Sequence, residues 1–133
     1  MSEATMRGRI NKALKPLDAV AVENRVYPGT PDVNYVEGWI ELKWIRRWPK
    51  NCEESPVLID HFTAQQRVWL SRRKRRGGRI HVLLQVGAEW ILLDGQVAAD
   101  ILGRATRPEL IAAAEAYWEK GLKEKELIAC LQN

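Results

Sequence analysis

The stretch that decides the fold runs Pro31-Asp32-Val33-Asn34-Tyr35-Val36-Glu37-Gly38-Trp39-Ile40-Glu41-Leu42-Lys43-Trp44-Ile45. Val33 to Val36 and Trp39 to Ile45 are β-prone runs on either side of Glu37-Gly38, a short polar turn suited to a hairpin. Side chains alternate across a strand. Trp39, Glu41 and Lys43 therefore share one face, while Ile40, Leu42 and Trp44 share the other and mark it as a core face. With the turn centred near Glu37, Asp32 lies across the ladder within about one pairing step of Glu41. Two carboxylates and one ammonium converge, just after Pro28-Gly29-Thr30-Pro31 bends the chain.

Upstream, Ser2 caps a helix to about Leu14, with Glu3 in its first turn and Met6, Ile10, Ala13 and Leu14 as an apolar stripe, until Pro16 stops it. Asp18 to Tyr27 is Val-rich and alternating, which predicts a strand. Downstream, Arg46 to Asp60 has prolines and mixed charge without a period and reads as a loop. Thr63 opens a helix with Gln66 at capping-box spacing, and Val68, Trp69 and Leu70 lead into a basic end before Gly77-Gly78. Ile80 to Val86 reads as a buried strand, Trp90 to Leu93 as its antiparallel neighbour across Gly87-Ala88, and a helical turn follows Gly95. Thr106-x-x-Glu109 is a second capping box. Leu110, Ala114, Tyr117 and Trp118 recur behind it at helical spacing, predicting one packing helix. From Lys123 to Gln132 a helix with Leu127, Ile128 and Leu131 on one face either closes the core or meets a partner chain.

The 133 residues, 46% hydrophobic and 29% charged, fit a single domain with a real core. Cys52 and Cys130 have no metal-type spacing and the amino terminus shows no secretory pattern, so the expected setting is the reducing cytoplasm. No apolar run approaches the ~20 residues of a membrane-crossing helix. The net charge of +4 is mild, but residues 61–88 hold Arg67, Arg72, Arg73, Lys74, Arg75, Arg76 and Arg79 without one Asp or Glu. Such a cluster suits a polyanion, although a solvated helix end reads the same way.

The oxygens of Asp32 and Glu41, with the backbone carbonyl of Leu42, suit Mg²⁺ (or Mn²⁺), a hard cation that retains waters and bridges to phosphate. Beside two carboxylates Lys43 stays charged, able to position a water or stabilise charge on a phosphorane-like transition state. An amphipathic strand with a solvated Glu-x-Lys pair is the plainer alternative. Trp44, Trp48, Arg46, Arg47 and Lys50 border this segment. Core packing suits Trp44, whereas the loop position of Trp48 suits DNA contact, a partner interface or a satisfied surface aromatic. His61, before a helix, reads as local structure, and His81 as a hydrogen-bonded core residue.

Pro31-Asp32 and Glu41-Leu42-Lys43 resemble the motif of the PD-(D/E)XK nuclease superfamily. Within it, Pro28-Gly29-Thr30-Pro31-Asp32-Val33, Gly38-Trp39-Ile40-Glu41-Leu42-Lys43 and Thr63-Ala64-Gln65-Gln66-Arg67-Val68-Trp69-Leu70 before Gly77-Gly78 resemble phage VRR-NUC-type nucleases over about residues 3–94. The chain is also similar to junction-resolving enzymes of the endonuclease-I type. This likeness implies an α/β restriction-endonuclease-like core, a central mixed sheet flanked by helices, with a helical C-terminal extension over about residues 95–133. It implies Asp32 and Glu41 as metal ligands, Lys43 as catalytic lysine, Glu3 as the added acid of the first helix with Glu23 as its rival, and Gln66 as a site-orienting residue that would close the capping box in any case. It further implies cleavage of branched or Holliday-junction DNA by a homodimer. A non-catalytic DNA-binding protein of the same fold, gripping phosphates with residues 67–79, and a nuclease for linear DNA, single strands or RNA are the rival readings.

Overall fold

Val36 and Glu37, one residue earlier than the Glu37-Gly38 turn expected from sequence, turn β2 (Val33–Tyr35) back onto β3 (Gly38–Ile45), with Val33 opposite Ile40 and Tyr35 opposite Gly38, in a computed structural model that describes residues 2–24 and 26–133. Gly38 is required by its neighbour. A Cβ there would lie 2.1 Å from the carbonyl oxygen of Arg79, which accepts the Trp39 N–H at 3.0 Å. β3 pairs in parallel with β4 (Ile80–Val86), from Trp39 opposite Ile80 to Ile45 opposite Val86. Parallel pairing demands a crossover, and residues 46–79 supply it through α2 (Ala64–Arg75). β5 (Glu89–Asp94) returns antiparallel on β4. The edges are β1 (Val20–Ala21), on β2, and β6 (Ala116–Trp118), on β5. The sheet is therefore six-stranded and mixed, with its strands in chain order.

Alternation along the strands loads both faces of the sheet. On one, Met6, Ile10 and Leu14 from α1 (Glu3–Ala13) and its cap, with Leu127 and Leu131 from α5 (Glu124–Gln132), pack on Ile40, Leu42, Leu83, Trp90 and Leu92. On the other, Trp69 and Leu70 of α2, Ala98 of α3 (Gly95–Ile101) and Leu110 of α4 (Arg107–Ala113) cover Val82, Leu84, Ile91 and Leu93. Every residue of β4 is buried, as a parallel strand covered on both sides must be. Each large aliphatic side chain taken fully from water there contributes about 1.5–3 kcal/mol. The helix at the carboxyl end closes the core, for Leu127 and Leu131 are 0% exposed. Among the described residues no helix is long and apolar enough to cross a membrane.

Several expectations from sequence are corrected. The strand predicted over Asp18 to Tyr27 shrinks to Val20–Ala21, because Asp18 takes a left-handed φ of 55° after a 3₁₀ turn at Lys15–Leu17. The Asn24 Oδ1 then accepts the N–H groups of Val26 and Tyr27, each at 3.0 Å, and draws the chain into an Asx turn; Arg25 lies outside the described residues. The C-terminal extension is not wholly helical. Its capping box forms, but α4 stops at Ala113, and Ala116-Tyr117-Trp118 add a strand to the open edge of β5. Residues 46–60 are irregular yet pinned, with Cys52, Val57 and Ile59 buried and the Val57 N–H donated to the Ala105 carbonyl at 2.8 Å.

Candidate functional site

The hairpin register places Asp32 directly opposite Glu41, one pair beyond Val33 and Ile40. The Asp32 Oδ2 accepts the backbone N–H of Leu42 at 2.9 Å, which ties the carboxylate across the ladder. Glu41 and Lys43 project together from the α2 side of β3. They are 2% and 3% exposed, and their Oε2 and Nζ form an ion pair at 3.0 Å. Lys43 is steadied from the crossover as well, since its Nζ donates to the His61 carbonyl at 2.9 Å and lies 5.7 Å from the centre of the Phe62 ring.

Gln66 does two jobs at once. Its Oε1 accepts the Thr63 N–H at 2.9 Å while the Thr63 hydroxyl accepts the Gln66 N–H at 3.1 Å, completing the capping box. Its Nε2 then donates to the Glu41 Oε2 at 3.2 Å. The residue that starts α2 thereby fixes the orientation of the buried acid on β3.

Burial first, and then the nearby charge of Asp32, push Glu41 up to about 8, against the opposing pull of Lys43. Desolvation and the second carboxylate together outweigh the pull of the Lys43 ion pair, so the charged form of Glu41 is costly at this site. The carboxylate oxygens of Asp32 and Glu41 are hard donors of the kind that could hold a divalent cation. Among the described residues no three His, Cys, Asp or Glu side chains converge as a metal cluster. Backbone oxygen, such as the Leu42 carbonyl, and water would have to complete such a site.

Glu3 and Glu23 stand at the rim. Glu3 pairs with Arg7 at 3.2 Å on the exposed flank of α1. Arg7 in turn lines a groove of about 480 Å³ whose other walls are Ala21, Val22, Glu23 and Asp32, so Glu23 shares that groove with Asp32. His61, exposed beside the pair, is the residue whose placement sequence reasoning missed. Burial of part of the ring and the charge of Lys43 hold its pKa below the ordinary value, with Glu3, Asp60 and Asp32 opposing. The capping box that places Gln66 also brings the two residues before Thr63 over Lys43, and only the fold reveals this.

The basic residues divide. Arg72, Arg75 and Arg76 on α2 and Arg46, Arg47 and Lys50 after β3 are exposed. Arg67 is committed to structure: it donates to the carbonyls of Ala99 and Leu102 at the end of α3 and stacks 4.5 Å from the Phe62 ring centre. Lys74 pairs with Asp94 at 2.7 Å, and the Arg73 guanidinium lies 4.3 Å over Trp69. Trp48 is likewise satisfied, its indole N–H donating to Glu89 at 2.6 Å under the guanidinium of Arg107. Leu42 buries its side chain against α1, and Trp44 packs half-buried on the same core. His81 donates or accepts at 3.0 Å with Glu115.

No family model matches the chain, and no curated protein matches it.

Proposed function

We propose that the chain is a Mg²⁺-dependent endodeoxyribonuclease with a restriction-endonuclease-like PD-(D/E)XK core, Mn²⁺ substituting for Mg²⁺. The observation that carries this reading is the register of Asp32 opposite Glu41, with Lys43 ion-paired on the same buried face. A buried ion pair offers little net stability, since its desolvation cost can exceed its Coulombic gain, so stability alone does not account for burying Glu41 and Lys43.

Asp32, Glu41 and the Leu42 carbonyl would hold the cation. When bound, it supplies Lewis-acid polarisation of a scissile phosphate and a lowered pKa for an attacking water. A bound cation would favour the charged form of Glu41, and Gln66, donating to its Oε2 at 3.2 Å, would keep that carboxylate aimed. Lys43, tethered between Glu41 and the His61 carbonyl, holds its ammonium where it orients the water and offsets charge gathering on the phosphoryl oxygens. The exposed arginines of α2 take flanking phosphates, which positions the duplex without reading its sequence.

Asp32→Ala tests the reading. Loss of Mg²⁺-dependent cleavage with DNA binding retained supports it. A wild-type protein that binds DNA yet cuts none with either Mg²⁺ or Mn²⁺ would leave a non-catalytic DNA-binding protein instead. From the resemblance comes the narrower reading of branched DNA cut by a cytoplasmic homodimer, since opposed strands call for two sites in one assembly. A micromolar monomer cutting linear duplex as fast as four-way junctions sinks that version.

A further inference from the structure

The strand face that carries Glu41 and Lys43 begins with Trp39, about 7 Å before Glu41 at the rise of a strand. Its indole meets Trp69 edge-on, with centroids 5.4 Å apart and planes at 70°. In front of the pair lies a hollow of about 230 Å³ walled by Tyr27, Thr30, Trp39, Trp69, Arg72 and Arg73. A neighbouring hollow of about 310 Å³, reaching Pro28 and Val68, shares Trp69 and Arg72 with it. Neither has an acidic residue in its walls. Tyr27, in the wall of the first hollow, is 66% exposed and Val68, in the second, 59%, so each hollow presents large apolar surface to water.

The wall is rigid where it matters. Gly29 takes a φ of 91° and presses the turn on the first turn of α2, so closely that a Cβ would lie 2.5 Å from the Gln65 carbonyl oxygen. Tyr27 and Thr30 are carried on that turn, joined by the Thr30 hydroxyl donating to the Tyr27 carbonyl at 2.7 Å.

We propose that this hollow seats one unpaired nucleobase of DNA, with Tyr27 and Trp39 as stacking surfaces and Arg72 and Arg73 facing the adjoining phosphates. Aromatic faces beside guanidinium groups, with no carboxylate among them, match a π-face joined to a phosphodiester. A base inside a duplex has both faces covered by its neighbours, so only an unstacked nucleotide fits. The proposal rests on the nuclease reading for the presence of DNA, and it places a single-stranded flank beside the cut.

The test uses forked DNA whose unpaired arm carries 2-aminopurine at successive positions from the branch, bound by the full chain in Ca²⁺. The expected result is fluorescence quenching of at least about twofold at one position near the branch, lost in Tyr27→Ala and in Arg72→Glu together with fivefold or more of the fork affinity. Leu58→Ala, an exposed apolar residue elsewhere, retains both. Quenching at no position, or quenching that survives both pocket variants, overturns the proposal. Cleavage without quenching removes the pocket alone. Quenching without cleavage in Mg²⁺ or Mn²⁺ keeps the pocket and removes the nuclease reading, and a chain that binds no DNA loses both.

Discussion

Glu41 is the residue on which chemistry and stability meet. Its folded pKa, about 8, stands above the ordinary 4.5, so the folded protein holds a proton there that the unfolded chain releases. The associated stability is full below the ordinary value and is lost as pH rises from about 4.5 through 8. Metal-free wild type is thus expected to lose melting temperature from pH 5 to 8 more steeply than Glu41→Gln, and added Mg²⁺ at pH 8 should lift the wild type but not the variant. Parallel profiles for the two proteins in thermal scans would count against the assignment. Lys43→Ala is expected to lower the single-turnover cleavage rate by about 10²-fold or more. Gln66→Glu separates its two jobs: glutamate at this position still closes the capping box, so α2 should melt as before, whereas a second acid against Glu41 should shift the Mg²⁺ midpoint for cleavage.

At the scale of elements, α2 offers a comparison between neighbours of identical type. Arg67 caps the end of α3 while Arg72 is exposed. Arg67→Met should cost about 1–3 kcal/mol in urea unfolding, by leaving buried carbonyls unpaired, and should leave the salt slope of DNA binding alone. Arg72→Ala should barely change stability but reduce that slope by about one. Sequence alone could not sort these two, since partners 32 and 35 residues away decide the matter. The hairpin was legible because its period of two is enforced on both sides, by Ile40 and Leu42 in the core and by Glu41 and Lys43 beneath α2. Tyr117 and Trp118 were not, for they follow Leu110 and Ala114 at helical spacing and also alternate as a strand. The free edge of β5 chose between the two. Asn24 is the signal that could have shortened the first strand, since Asn side chains compete for backbone N–H groups.

For the whole molecule, α5 decides whether the chain needs a partner to be stable. Leu127 and Leu131 are fully buried within one chain, so Leu131→Ala should cost about 2–5 kcal/mol without changing how the unfolding midpoint varies with protein concentration. A variant that changes that dependence would make α5 part of an intermolecular core. The class of fold and the carboxylate pair could be read from order and periodicity, whereas the rim around them, with His61 over Lys43 and Glu23 beside Asp32, arises from segments far apart in the chain.

The strands lie in the sheet in the order in which they occur along the chain, and the longest connection between neighbours, residues 46–79, spans the β3–β4 seam, ahead of residues 95–115 between β5 and β6. Loop closure penalises long connections only slowly with length, so the hairpins β2–β3 and β4–β5 can form from short-range contacts before the β3–β4 seam zips together. Nicking the peptide between Glu53 and Ser55 would then yield fragments that recombine along that seam. One would carry Asp32, Glu41 and Lys43 and the other Gln66 with the basic helix, so neither piece should cut DNA until the halves rejoin.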